Sequence, residues 1–272
     1  MTQTAKKPNY GFNQEDLELA QSVRGLIGRR LERLSEPAQR MLVAAAVIGR
    51  DFNIALLEAF GELAGHELRD ALDEATRGHF LTTAGGDRYR FAHDLVRQRV
   101  LAVLPLPRLQ AYHLAVADTL ERVYGKSAGE RAGEIAHHLY QAGTAADPVR
   151  TSTHLAQAAK NDLAVGAFED ALRVIDTALQ LLPPERIRER AEALAMRAQA
   201  FWALGRHNDA RAAWGGALGR YEELGDTKAA AAIHNQMHDV GVNGEVKPAE
   251  EAAVDEHAAE PTEKPEEAEA PA

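Results

Sequence analysis

The chain has 272 residues, 45% hydrophobic and 6% aromatic, with no cysteine and a formal charge of −10. The lack of cysteine excludes disulfides and thiolate metal centres and fits a cytoplasmic chain. No apolar run of signal-peptide length follows Lys6 and Lys7, and Met41 to Ile48 is too short to cross a bilayer, so a soluble protein without a membrane partner is expected.

The charge is unevenly placed. Ten acids and two lysines lie between Glu245 and Ala272, a net of −8, so the body of the chain is nearly neutral. Alanine and leucine supply most of the apolar material, which favours helices because alanine loses no side-chain entropy there and leucine little.

Residues 1–13 read as a flexible leader. From Gln14 to Leu34 a helical period runs through Leu17, Val23, Ile27, Leu31 and Leu34. Ser35 followed by Pro37 signals the start of a second helix, through Met41, Leu42, Val43 and Ile48 to a stop at Gly49. Two short helices follow, Asn53 to Phe60 and His66 to Arg77, punctuated by Gly61, Gly65 and Gly78. Residues 80–83 and 88–91 alternate around Ala84-Gly85-Gly86-Asp87, the pattern of a β-hairpin, with Leu81, Thr83, Tyr89 and Phe91 expected on its inner face. A helix from Leu95 to Leu104 then meets Pro105 and Pro107. Three helices, a hairpin and a closing helix predict a winged-helix-like module over 14–107.

Beyond Pro107 the period is helical almost without break, with helices expected over Arg108–Tyr124 and Gly129–Gln141. From Ser152 an internal repeat appears. Leu155, Ala159, Gly166, Ala171 and Ala178 recur 39 residues later as Leu194, Ala198, Gly205, Ala210 and Ala217, and Ile175 corresponds to Trp214. Small residues that let antiparallel helices approach, with a glycine turn between them, are the residue logic of a tetratricopeptide (TPR) hairpin. The step is longer than the usual repeat of about 34 residues, which implies a long link or an extended second helix. A third, partial unit starts near Asp226, with Ile233 at the leucine position. TPR-like helical repeats are therefore expected over 108–240, with the helices between Arg108 and Gln141 capping the first hairpin. Residues 241–272, acidic and rich in alanine and proline, lack the apolar surface to offset ordering and read as a disordered tail. The fold class is mainly α.

Three motifs carry a resemblance. Residues 22–35 with 44–52, then 90–97 (Arg-Phe-Ala-His-Asp-Leu-Val-Arg), then 134–143 (Glu-Ile-Ala-His-His-Leu-Tyr-Gln-Ala-Gly), occur in the order found after the ATPase core of the STAND signal-transduction ATPases. That class includes large LuxR-type regulators and ATPases linked to nucleotide cyclases. The resemblance spans roughly residues 17–240 and implies a winged helix leading into superhelical repeats. In that class a Met-His-Asp motif brings its histidine to the phosphate of bound ADP. The matching residues here are Ala92, His93 and Asp94, so the methionine is missing. A histidine at a helix start would favour an anion, but equally His93 and Asp94 would serve as helix caps. His93 is a cofactor-binding candidate only if a separate nucleotide-binding subunit docks in trans, so ADP or ATP is expected only through such a module. The sequence holds no P-loop of its own: Gly125-Lys126-Ser127 supplies the end of the motif, but Leu120 stands where the first glycine is needed.

Other chemistries find less support. The third helix carries Glu67, Asp70, Asp73 and Glu74 against Arg69 and Arg77, a charge that phosphates would repel, which argues against nucleic acid. His234 and His238 have a zinc-compatible spacing but no evident third ligand, so they read as solvated and no metal is expected. Of the adjacent pair His137 and His138, one is expected to pack and the other to face solvent. No carboxylate pair or nucleophile suggests catalysis. The expected function is a non-catalytic regulatory and protein-interaction segment that binds a protein or peptide partner on its helical repeats. Phe201 and Trp202 are the partner-binding candidates, and a P-loop ATPase subunit is a candidate partner. The alternatives are a DNA-binding transcription regulator using the winged helix, and a split-gene remnant that complements a separate ATPase.

Overall fold

A computed structural model describes residues 25–239 and Gly241. The leader, the first part of the predicted helix at 14–34, and all of the acidic tail except Gly241 lie outside the described residues. The chain is mainly helical, with one small antiparallel sheet.

The described chain begins helical over 25–31, here α1. Helix α2 (Glu36–Ile48) starts as its sequence signals: the Ser35 hydroxyl accepts a hydrogen bond from the Ala38 N–H, and Pro37 occupies the first turn. Gly49 ends it. The helix is alanine-rich and almost fully enclosed, with Ala38, Ala44, Ala45 and Ala46 wholly buried beside Met41 and Leu42.

Strand β1 (Asp51–Asn53) comes next and was not read from the sequence. Helix α3 (Ile54–Phe60) is capped by the Asn53 carboxamide, which accepts from the Leu56 N–H at 2.6 Å. Helix α4 (Gly65–Arg77) leads to β2 (Leu81–Thr83) and β3 (Arg88–Phe91), the expected hairpin. The sheet order is β1-β3-β2, with Phe52 opposite Tyr89 and Leu81 opposite Phe91. Three residues are too few for a sequence pattern. What defines β1 is tertiary: Asp51 pairs with Arg90, and the Phe52 ring lies 6.2 Å from that of Tyr89. The predicted inner face holds for Leu81 and Phe91, which are buried, and for the half-buried Tyr89. Thr83 is exposed, because β2 reaches the turn end of the hairpin there, away from the core.

Helix α5 (Asp94–Ala102) packs on α2, where the Arg97 Nε donates to the Ala46 carbonyl at 2.8 Å. Helix α6 (Leu106–Tyr124) takes Pro107 into its first turn, where no N–H is needed. The helix predicted over Gly129–Gln141 is found as α7 (Ala132–Ala142), with its first three residues belonging instead to a 3-10 segment, Gly125–Arg131. The core does not break at Pro107. Tyr112, Val116 and Leu120 of α6 and Ile135 and Leu139 of α7 join one cluster with α2 to α5 and the sheet.

Four long helices follow: α8 (Pro148–Ala164), α9 (Phe168–Leu181), α10 (Ile187–Ala203) and α11 (His207–Glu223), and then α12 (Thr227–Asp239). Each packs on the next, and α7 packs on α8. Ala159 and Ala171 are wholly buried where α8 meets α9, as are Ala198, Ala210 and Ala217 where α10 meets α11. A methyl-sized side chain at each crossing lets the backbones approach. Gly166 and Gly205 make equivalent turns with φ of 78° and 74°. In each, the glycine N–H donates three residues back and the next N–H five back, a pairing that satisfies the last carbonyls of the preceding helix. The longer step falls in the link after α9, residues 182–186. Arg190 secures it by donating to the carbonyls of Leu179 and Leu182, each at 2.9 Å.

Candidate functional site

Between α8 and α10, with α9 beneath, lies a cavity of about 350 Å³. Thr153, Gln157 and Lys160 line it from α8, and Glu189 and Glu192 from α10; Ala156, Ala178 and Ala193 form its floor. Helical spacing places the α8 residues in one stripe, and the alanines keep the floor shallow enough to leave open space.

The α8 wall is held firmly. Asp147 caps α8, accepting from the N–H groups of Val149 at 2.6 Å and Arg150 at 3.0 Å, and these bonds hold its carboxyl below the usual range. Arg150 reaches back to α6, donating to Glu121 at 2.8 Å and Asp118 at 2.6 Å. His154, also lining the cavity, has its Nε2 2.6 Å from the other Glu121 oxygen. Burial pushes the Glu121 carboxyl up, but the bonds from Arg150 and His154 outweigh it and the net displacement is downward. At the rim, Gln157 donates to Asn161, and Asn161 donates to the Gly129 carbonyl at 2.8 Å, fixing the 3-10 segment as a lip. Buried Ser152 bonds the Pro148 carbonyl.

The cleft thus presents a cation from α8, carboxylates from α10, and an amide and a hydroxyl between them. Among the described residues, Lys160 and Glu192 are in no ion pair, and Glu189 pairs only with Arg186, the residue just before its own helix. These groups suit reversible recognition of a polar, charge-bearing segment. Sequence reasoning did not select them, since a lone lysine or glutamate on a helix is indistinguishable from an ordinary wet face until the facing helix is placed.

The sequence candidates do not converge on one site. Phe201 is 6% exposed, a core residue with the guanidinium groups of Arg197 and Arg206 5.2 and 4.3 Å from its ring centroid. Burial leaves it no surface for a partner. Trp202 is half-buried, its ring 4.2 Å from His207 and 5.8 Å from Trp214, while Trp214 itself lies in the core. His93 is exposed immediately before α5, and its side chain makes no capping bond. Asp94 accepts from Gln98 at 2.6 Å. Lys126 and Ser127 lie in the 3-10 segment, where the Ser127 hydroxyl donates to Tyr124. Of the two adjacent histidines, His138 is buried and His137 exposed.

Among the described residues, no group of three or more His, Cys, Asp or Glu side chains is placed to hold a metal ion, and no single helix is long and apolar enough to cross a membrane. Comparison of the chain with family models, with curated proteins and with solved structures finds no match.

Proposed function

We propose that the chain is a non-catalytic regulatory and interaction segment that binds a protein or peptide in the cleft between α8 and α10. The fold reading behind this takes α2 to α5 with the sheet as a winged-helix-like module and α8 to α12 as TPR-like hairpins. It places the chain beside the equivalent region of STAND-type ATPases, whose nucleotide-binding core would be a separate subunit. The observation that carries the reading is the cleft itself: an open cavity walled by oppositely charged side chains on two stacked, rigidly held helices. Binding sites are typically concave, with a few placed polar groups, and stacked helical hairpins commonly offer such a surface.

The DNA-binding alternative is disfavoured by α4, whose Glu67, Asp70 and Asp73 are exposed along with Arg69 and Arg77. A helix of that charge would be repelled by phosphates.

Affinity capture with the full chain tests the reading, using wild type beside Lys160→Glu with Glu192→Lys. The expected outcome is a partner held by wild type and lost on charge reversal, with no ATP hydrolysis by the pure chain. An identical set of captured proteins for both, or hydrolysis by the pure chain, would overturn it.

A further inference from the structure

The cleft between α8 and α10 has a direction. The 39-residue step that maps α8 onto α10 sets Glu192 level with Thr153, and Lys160 stands seven residues further along α8. Seven residues are two turns, so the points that carry the carboxylate and the ammonium lie about 10.5 Å apart along the helices. Gln157 lies midway, and Ala156 and Ala193 keep the floor between them shallow.

A ligand that answers both charges carries a cation and an anion at that spacing. In a polyproline II segment three residues make a turn and each rises about 3.1 Å, so positions i and i+3 share a face about 9.3 Å apart. A β-strand sets like-facing side chains about 6.8 or 13.6 Å apart, either side of the required distance. The chain itself contains the matching pattern twice, as Lys247-Pro248-Ala249-Glu250 and Lys264-Pro265-Glu266-Glu267. These are the only two lysines among ten acids from Glu245 to Ala272, and each is followed by proline and, three residues on, by glutamate. Proline favours the polyproline II backbone, which has no internal hydrogen bonds, and the Gln157 amide stands where its peptide groups would pass.

Taking the cleft as the binding site, a reading on which this rests, we propose that Lys247-Pro248-Ala249-Glu250 occupies the cleft of its own chain. Lys247 pairs with Glu192 and Glu250 with Lys160, an internal ligand that an outside partner of the same chemistry must displace. Two steps of 39 residues put Asp239, the last residue of α12, level with Asn161, beside Lys160. Two helix spacings of about 10 Å separate α12 from α8, so with the two turns along the helices Lys247 has roughly 23 Å to cover. The eight residues from Asp239 to Lys247 extend to roughly 27 Å. A linker that matches its span gives the highest effective concentration. The second copy has a much longer linker, and it brings Glu266 where the first brings Ala249 to an alanine floor.

Because the chain has no cysteine, Ala249→Cys carries a single nitroxide. Paramagnetic broadening of backbone amide signals in the isotopically labelled full chain reads its position. The expected result is loss of the Thr153, Gln157 and Glu192 amide signals, restored when the nitroxide is reduced. Lys160→Glu with Glu192→Lys should restore them too, and adding Lys247→Glu with Glu250→Lys should abolish them again. Core amide positions, which these exposed charges do not reach, serve as the control for folding. Signals retained in the nitroxide chain, loss that persists after cleft reversal, or no second loss in the compensated chain would each overturn the proposal. So would equal loss when nitroxide and isotope are on different chains, which would place the segment in a second copy. If the segment is absent from the cleft while charge reversal still releases a captured partner, the cleft reading stands without its internal ligand. If the segment is found there and capture ignores the reversal, the cleft holds the tail and no outside partner.

Discussion

The Nδ1 atoms of His113 and His138 lie 2.9 Å apart, in hydrogen-bond contact in the buried seam where α6 meets α7. His138 also hydrogen-bonds the Ile48 backbone at the end of α2, so the pair ties α6 and α7 to the first module. One Nδ1 of the pair donates to the other. Burial pushes His113 down to about 4 and His138 to about 3, reinforced for both by His137 and by Arg97 from α5, and for His138 also by His113.

This pair makes the fold acid-sensitive. Both rings are neutral in the folded chain, whereas the unfolded chain protonates them near 6.5. Below that value the unfolded state binds more protons, so their contribution to stability is full above pH 6.5 and is lost progressively as the pH falls toward 4. Each tenfold displacement of a protonation equilibrium corresponds to about 1.4 kcal/mol. Urea unfolding at a series of pH values should show stability declining steadily from pH 6.5 to 4. Replacing both histidines with leucine should flatten that decline. A wild-type chain equally stable at pH 7 and 4.5 would contradict the assignment.

Ser35 and Glu74 join the start of α2 to α4. The Ser35 N–H and hydroxyl both donate to the Glu74 carboxylate, at 2.8 and 2.5 Å, and these bonds hold that carboxyl below its ordinary range. Ser35→Ala removes both the hydroxyl donor and the helix cap, and should cost about 1 kcal/mol in chemical denaturation. Glu74 is largely solvated, so Glu74→Gln should cost less.

Two left-handed positions should respond in opposite directions. His79 holds a φ of 55° after α4, a conformation that costs a side-chain-bearing residue about 1–2 kcal/mol relative to glycine. His79→Gly should raise the melting temperature. Gly205 holds a φ of 74°, and a methyl group added there would meet nothing within 4 Å. Gly205→Ala should therefore lower the melting temperature through backbone strain alone.

Ala198 is wholly buried where α10 crosses α11. Ala198→Leu should destabilise the chain by about 1–3 kcal/mol through overpacking. The adjacent, exposed Gln199→Ala should stay within about 0.5 kcal/mol of wild type. Equal effects from the two substitutions would refute close packing at this crossing.

Much of the architecture was legible because its signals are local. Ser35 with Pro37, the stop at Gly49, the glycine-rich hairpin and the turns at Gly166 and Gly205 each act within a few residues. The recurrence of alanines 39 residues apart marked where helices touch. Strand β1, the shared core of α6 and α7, the burial of Phe201, the His113–His138 contact and the cleft facing Lys160 with Glu192 had no such signal. Each depends on which helical faces meet across the chain. A helical period says that one side of a helix is buried, but the partner that buries it is chosen only when all the elements compete for the same apolar surface.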